Sequence, residues 1–92
     1  MGKKYKVSKY TVHISEALSC LWLNEDNQNH RECGPSVIWS DGGKEWWLKG
    51  ELIMYKLPDG KMYLSMENFF GYKRCHNERV FYEEFERRLK NV

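Results

Sequence analysis

The chain has little net charge, few cysteines and no long apolar run, and each shortage excludes something. Fifteen Lys and Arg face thirteen Asp and Glu, a net charge of +2. So mild a balance lacks the cationic stripe by which most nucleic-acid binders hold phosphate. Nothing approaches the ~18 consecutive apolar residues of a membrane span, and no apolar segment follows the amino-terminal lysines as it would in a secretory leader. Three cysteines without such a leader point to a reducing cytoplasm and against a disulfide framework.

What is present is aromatic. The 92 residues include four Trp, six Tyr and four Phe. A single domain of this size, residues 1–92, buries only roughly 60–65% of its unfolded surface, so its core must be dense in large side chains. Some rings are then left over for recognition, where Trp and Tyr are the common anchors. A large deep pocket is not expected on so small a body. The one cationic cluster is Lys3, Lys4, Lys6 and Lys9, beside Tyr5 and Tyr10. It reads first as an edge strand whose lysines blunt edge-to-edge pairing, and second as a phosphate-contacting patch.

Read along its length, the sequence is an antiparallel meander closed by a helix. "KYKVSKYTVHI" alternates but slips phase at Ser8-Lys9, which suggests a bulge or break between two short strands. "SEAL" reads as a turn into the strand "LSCLWL", with Ser15 as a helix cap the alternative. "NEDNQN" is a polar loop. Turn signals then fall at Asp41-Gly42, Lys49-Gly50 and Asp59-Gly60, roughly every 8–10 residues, as in a meander. Gly34, Gly42, Gly50 and Gly60 are expected to act through backbone shape. At the end, Phe81, Phe85 and Leu89 make one helical stripe. Glu83–Arg87, Glu84–Arg88 and Glu86–Lys90 each set an acid four residues before a base. The expected fold is α+β, mostly β: about five to seven short strands and one C-terminal amphipathic helix. The divisions are 1–28 (strands and loop), 29–65 (meander), 66–79 (strand and loop) and 80–92 (helix).

The stretch "HRECGPSVIWSDGGKEWWLKGEL" resembles the "HREDGPA–DGTKEWYLNGKLHRE" repeat of small phage and bacterial proteins, loosely related to MORN repeats. The match spans Asn29 to Leu52, about a quarter of the chain. "LWLN" at Leu21 to Asn24 looks like the tail of a preceding unit, and "LPDGKMYL" like a decayed following one. "VFYEEFERRLK" is similar to the helix that closes many such proteins. Cys33, Ser36 and Lys49 depart from the Asp, Ala and Asn that the repeat prefers, and the second His-Arg-Glu is missing after Leu52. The resemblance implies a β-meander and a phage or mobile-element source. It carries no catalytic residues to transfer.

Several groups invite a chemical reading. His30 and Glu32 could do acid–base work if desolvated, but the same letters tile the repeats the chain resembles, so hydrogen bonding to the neighbouring rung is the favoured reading. His30-x-x-Cys33 has the spacing of half a zinc site; Cys75 and His76 are adjacent and diverge on a strand, and Cys20 lacks a mate, so no metal or other cofactor is expected. His13, between Val12 and Ile14, is read as an ordinary strand residue on the other face. Cys75, between Arg74 and His76, is the one thiol with electropositive neighbours. "DGGK" is a hairpin turn, far short of a phosphate loop. Trp46 and Trp47 are adjacent on a strand and face opposite ways, so one is exposed unless the helix covers it; Phe69, Phe70 and Tyr72 pose the same question.

The favoured function is therefore a non-enzymatic protein-binding module, acting sterically on a host protein as anti-CRISPR and other anti-defence proteins do. Its expected anchors are whichever of Trp46 and Trp47 points outward, with Phe70 and Tyr72. Lys3, Lys4, Lys6, Lys9 and Arg74 would supply an electrostatic rim. One alternative is a small nucleic-acid-binding protein using those lysines and "NFFGYKR" as a stacking platform. The other is an enzyme using His30, Glu32 and Cys75.

Overall fold

A computed structural model describes residues 2–67 and 70–91. Eight strands follow one another in the sheet in chain order, every neighbouring pair antiparallel. They are β1 (Lys3–Val7), β2 (Tyr10–Ile14), β3 (Leu18–Leu23), β4 (Val37–Trp39), β5 (Lys44–Leu48), β6 (Glu51–Lys56), β7 (Met62–Ser65) and β8 (Tyr72–Cys75), followed by α1 (Glu78–Leu89). The fold is α+β and mostly β, as the sequence pattern requires. The strand count exceeds the expected five to seven. Of the two readings of Ser8-Lys9, the break between two short strands holds and the bulge does not: Val7 pairs with Tyr10 across the turn and Ser8 takes φ 54°.

Local chemistry explains the turns. At the β4–β5 and β6–β7 connections an aspartate carboxylate accepts the N–H two residues on: Gly43 to Asp41, and Lys61 to Asp59, both at 2.9 Å. Gly42 and Gly60 then adopt φ 97° and 94°, a region open to glycine and costly to most other residues. The two turns also share their backbone bonds, Trp39 N–H to Gly43 O and Leu57 N–H to Lys61 O. The β5–β6 connection has only two residues, Lys49 and Gly50, at φ 49° and 81°. That pair of positive angles suits a tight hairpin, whose twist matches the flanking strands. Gly34 departs from expectation: its φ lies outside that region, and its constraint is space, since a Cβ there would come within 3.2 Å of the Arg31 guanidinium.

One face of the sheet is covered. Trp46, Leu48, Ile53, Met54, Met62 and Cys75 pack against Phe81 and Phe85, with Leu64 and Leu89 alongside. A register shift pairs Trp46 with Met54 and Trp47 with Leu52; the extra residue, Ile53, lets both Ile53 and Met54 reach the core. α1 begins at Glu78, two residues before the expected start, because the Asn77 side chain accepts the Val80 N–H at 3.1 Å, a standard N-cap. Of the three expected acid–base pairs, Glu84–Arg88 forms at 2.9 Å; Glu83 instead pairs with Arg79 and Arg87 with Glu84 and Glu67.

The loop 24–36 covers the other half of that face. Tyr10 packs edge-on to Trp22 and stacks with His30, and the Arg31 guanidinium lies 3.8 Å from the Trp22 ring centroid. Ser36, fully buried, sends its N–H to Glu45 O and accepts the Trp47 N–H on its hydroxyl. Among the described residues no helix is long and apolar enough to cross a membrane.

Candidate functional site

The strand registers define the uncovered face directly, because residues opposite one another in an antiparallel pair share a side. One row crosses all eight strands: Lys4, His13, Leu21, Val37, Glu45, Tyr55, Tyr63 and Arg74. Alternation along each strand adds Trp39, Trp47 and Tyr72 to the same side. Trp46, one residue from Trp47, points the other way and is 3% exposed, edge-on to Phe81 and Tyr82. Trp46 is thus not available as an anchor. α1 closes over it, which leaves Trp47, half-buried, as the outward ring.

Among the described residues, five Trp and Tyr rings therefore line the open face. Tyr55 stacks on Tyr63 with centroids 5.0 Å apart and meets Tyr72 edge-on at 5.2 Å. Arg74 lies 5.8 Å from the Tyr63 centroid. Desolvation by burial, and after it the charge interactions with Tyr63 and Tyr72, raise the Tyr55 hydroxyl pKa. Between Trp39 and Trp47 sits Glu45, whose Oε2 accepts the Trp39 indole N–H at 2.7 Å and whose Oε1 accepts that of Trp47 at 2.8 Å.

At one end of this face Trp47, Leu52, Met66, Phe70 and Tyr72 line a notch of about 590 Å³. Three of the four expected anchors thus meet in one place. Phe70 is fully exposed and Tyr72 is 46% exposed; Phe69 lies outside the described residues. A crevice of similar size, about 620 Å³, runs between the Glu32–Pro35 loop and α1, lined by Trp46, Phe85 and other packing residues.

The expected cations do not gather. Lys4 and Lys6 sit on the edge strand β1, with Lys3 on the opposite side, whereas Arg74 is on β8, the other edge. Lys9 pairs with Glu32, whose carboxyl is held below its ordinary range first by that bond and then by His30. His30 is buried and accepts the Lys49 N–H on Nδ1 at 2.8 Å, while Nε2 faces Glu32 at 3.4 Å. With Arg31 N–H donating to Trp47 O and Gly50 N–H to Asn29 O, the His-Arg-Glu segment ties the loop to the β5–β6 hairpin. Cys75 is nowhere near it. It is buried on β8 beneath α1, its thiol donating to Asn77 O at 3.2 Å, so it lacks the exposure of a reactive thiol. Among the described residues no three His, Cys, Asp or Glu side chains converge as a metal site.

Sequence reasoning missed Glu45, Trp39, Tyr55 and Tyr63 as a group. A signal existed: Tyr55 and Tyr63 lie four residues either side of Asp59, so a hairpin centred there must pair them. No protein-family model, curated protein or solved structure matches the chain.

Proposed function

We propose that this protein is a non-enzymatic docking module that binds another protein through the open face of its sheet. The observation that carries this reading is the aromatic surface left uncovered by α1, with Trp47, Phe70 and Tyr72 around one notch. Glu51, Ser65 and Glu67 share the notch with these rings, and exposed aromatic rings within a polar rim are where interface energy concentrates. The resemblance to phage repeat proteins extends the proposal: a phage or mobile-element protein that occupies a functional surface of a host protein in the host cytoplasm, in the manner of anti-CRISPR and other anti-defence inhibitors.

A nucleic-acid partner is the second reading, favoured by Arg74 beside the stacked Tyr55 and Tyr63. Two features weigh against it. The cations lie at opposite edges of the sheet, and a carboxylate, Glu45, stands in the middle of the row, where it would repel phosphates.

Capture from bacterial lysate tests the proposal if wild type is compared with Trp47→Ala/Tyr72→Ala and with a Tyr5→Ala control on the other side of β1. A protein retained by wild type and control but lost with the double variant supports docking through this face. Capture that survives in the double variant, or a ligand released by nuclease, defeats it.

A further inference from the structure

We propose that Glu45, between Trp39 and Trp47, receives a cationic side chain of the docked protein, arginine in preference to lysine. The inference rests on the docking reading and names the chemistry of the partner's central anchor.

Each Glu45 oxygen accepts one indole N–H, at 2.7 and 2.8 Å. A carboxylate has about four acceptor sites, so both oxygens keep capacity for a further donor. Among the described residues no Lys, Arg or His forms an ion pair with Glu45. Its neighbours in the row are Val37 and Tyr55, neither of them a cation. A half-buried anion is thus held by two neutral donors alone.

The same bonds fix what the site offers a ligand. With both N–H groups turned to Glu45, the tryptophans have no donor left for a partner's carbonyls. What remains is negative charge beside two tryptophans that meet it edge-on, with Trp39 40% exposed; the carboxylate attracts cations, as does an exposed indole face, the strongest of the aromatic partners. Guanidinium fits better than ammonium because its planar fork can share a carboxylate while stacking on a ring. Lys4, Lys6 and Arg74 at the two ends of the face disfavour a polybasic ligand across its width. They select one basic residue among neutral or acidic neighbours.

The test uses the full ¹⁵N-labelled chain, whose Trp39 and Trp47 indole N–H signals report from the site itself. It is titrated at low salt with acetyl-Gly-Arg-Gly-amide, with the Lys and Gln tripeptides, and with an oligothymidylate, each at about 1–10 mM. The arginine peptide is expected to shift both indole signals saturably, the lysine peptide more weakly and the glutamine peptide not at all. Glu45→Gln should weaken arginine binding at least about fivefold. If that variant loses its thermal transition, Trp39→Phe keeps the carboxylate and should retain weakened binding. Equal shifts with the arginine and glutamine peptides, or a stronger response to the oligothymidylate, would overturn the proposal. A captured partner that is lost with Trp47→Ala/Tyr72→Ala yet unaffected by Glu45→Gln would sink the cation receptor and leave docking standing. Selective arginine binding, with capture indifferent to Trp47 and Tyr72, would do the opposite.

Discussion

Replacing Trp46 and Trp47 separately by Ala should cost very different amounts of stability, although the two residues are adjacent. Trp46 is 3% exposed and packs edge-on against Phe81 at 5.3 Å and Tyr82 at 5.9 Å. Emptying such a site costs the transfer free energy of the ring plus that of the cavity left behind, about 3–5 kcal/mol. A domain of 92 residues has a total stability of about 5–14 kcal/mol, so Trp46→Ala removes a large fraction of it. At about 4–8 °C per kcal/mol for this size, the melting temperature should fall by at least about 12 °C. Trp47 is half-buried on the open face, and its truncation loses a partly solvated bond to Glu45 and some packing, about 1 kcal/mol. Urea and thermal melts followed by far-ultraviolet circular dichroism measure both. Equal losses, or a larger loss for Trp47, would mean that the helix does not cover the face described.

Lys49→Asn should stabilise the fold by up to about 1 kcal/mol, since Lys49 holds φ 49° in a two-residue hairpin where Asn is better tolerated; a lower melting temperature would contradict that. Gly42→Val and Gly60→Val, at φ 97° and 94°, should each destabilise by at least about 1 kcal/mol, and unchanged melting would remove the basis for both turns. Glu32 should confer acid sensitivity. Its folded pKa lies below the ordinary 4.5 because Lys9 and His30 hydrogen-bond to it, so its contribution is complete above that value and is lost as pH falls through the folded pKa. Glu32→Gln should flatten that part of the stability–pH curve, and an unaltered curve would dismiss the cluster. The thermal transition should persist in a strong chelator; loss of the fold there, restored by zinc, would revive the Cys/His site.

The sheet was legible because its signals are local. Asp-Gly, Lys-Gly and the alternation beside them determine turn and strand without reference to the rest of the chain. Phe81, Phe85 and Leu89 did the same for α1. The site was less legible because it depends on pairings distant in sequence. Nothing in "KEWWL" says which tryptophan faces the helix; the register shift at Ile53 and the placement of α1 decide it. Loop 24–36 has no periodicity at all. Its order comes from Asn24, whose Oδ1 accepts the Asp26 and Gln28 N–H groups, and from His30 reaching Lys49 across 19 residues. Nothing in the sequence marks Glu45; only the pairing of β4 with β5 brings Trp39 beside it.

The most direct measurement is the affinity of the captured partner for two sets of variants, determined with association and dissociation rates over a range of salt. Truncating Trp47, Phe70 or Tyr72 should weaken binding by roughly 2 kcal/mol or more for the dominant ring, chiefly through faster dissociation. Neutralising Lys3, Lys4 and Lys6 together should slow association modestly and reduce the salt dependence, with dissociation nearly unchanged. Binding abolished by the lysine changes and indifferent to the rings would contradict the account, and would identify the ligand as a nucleic acid or a strongly acidic surface.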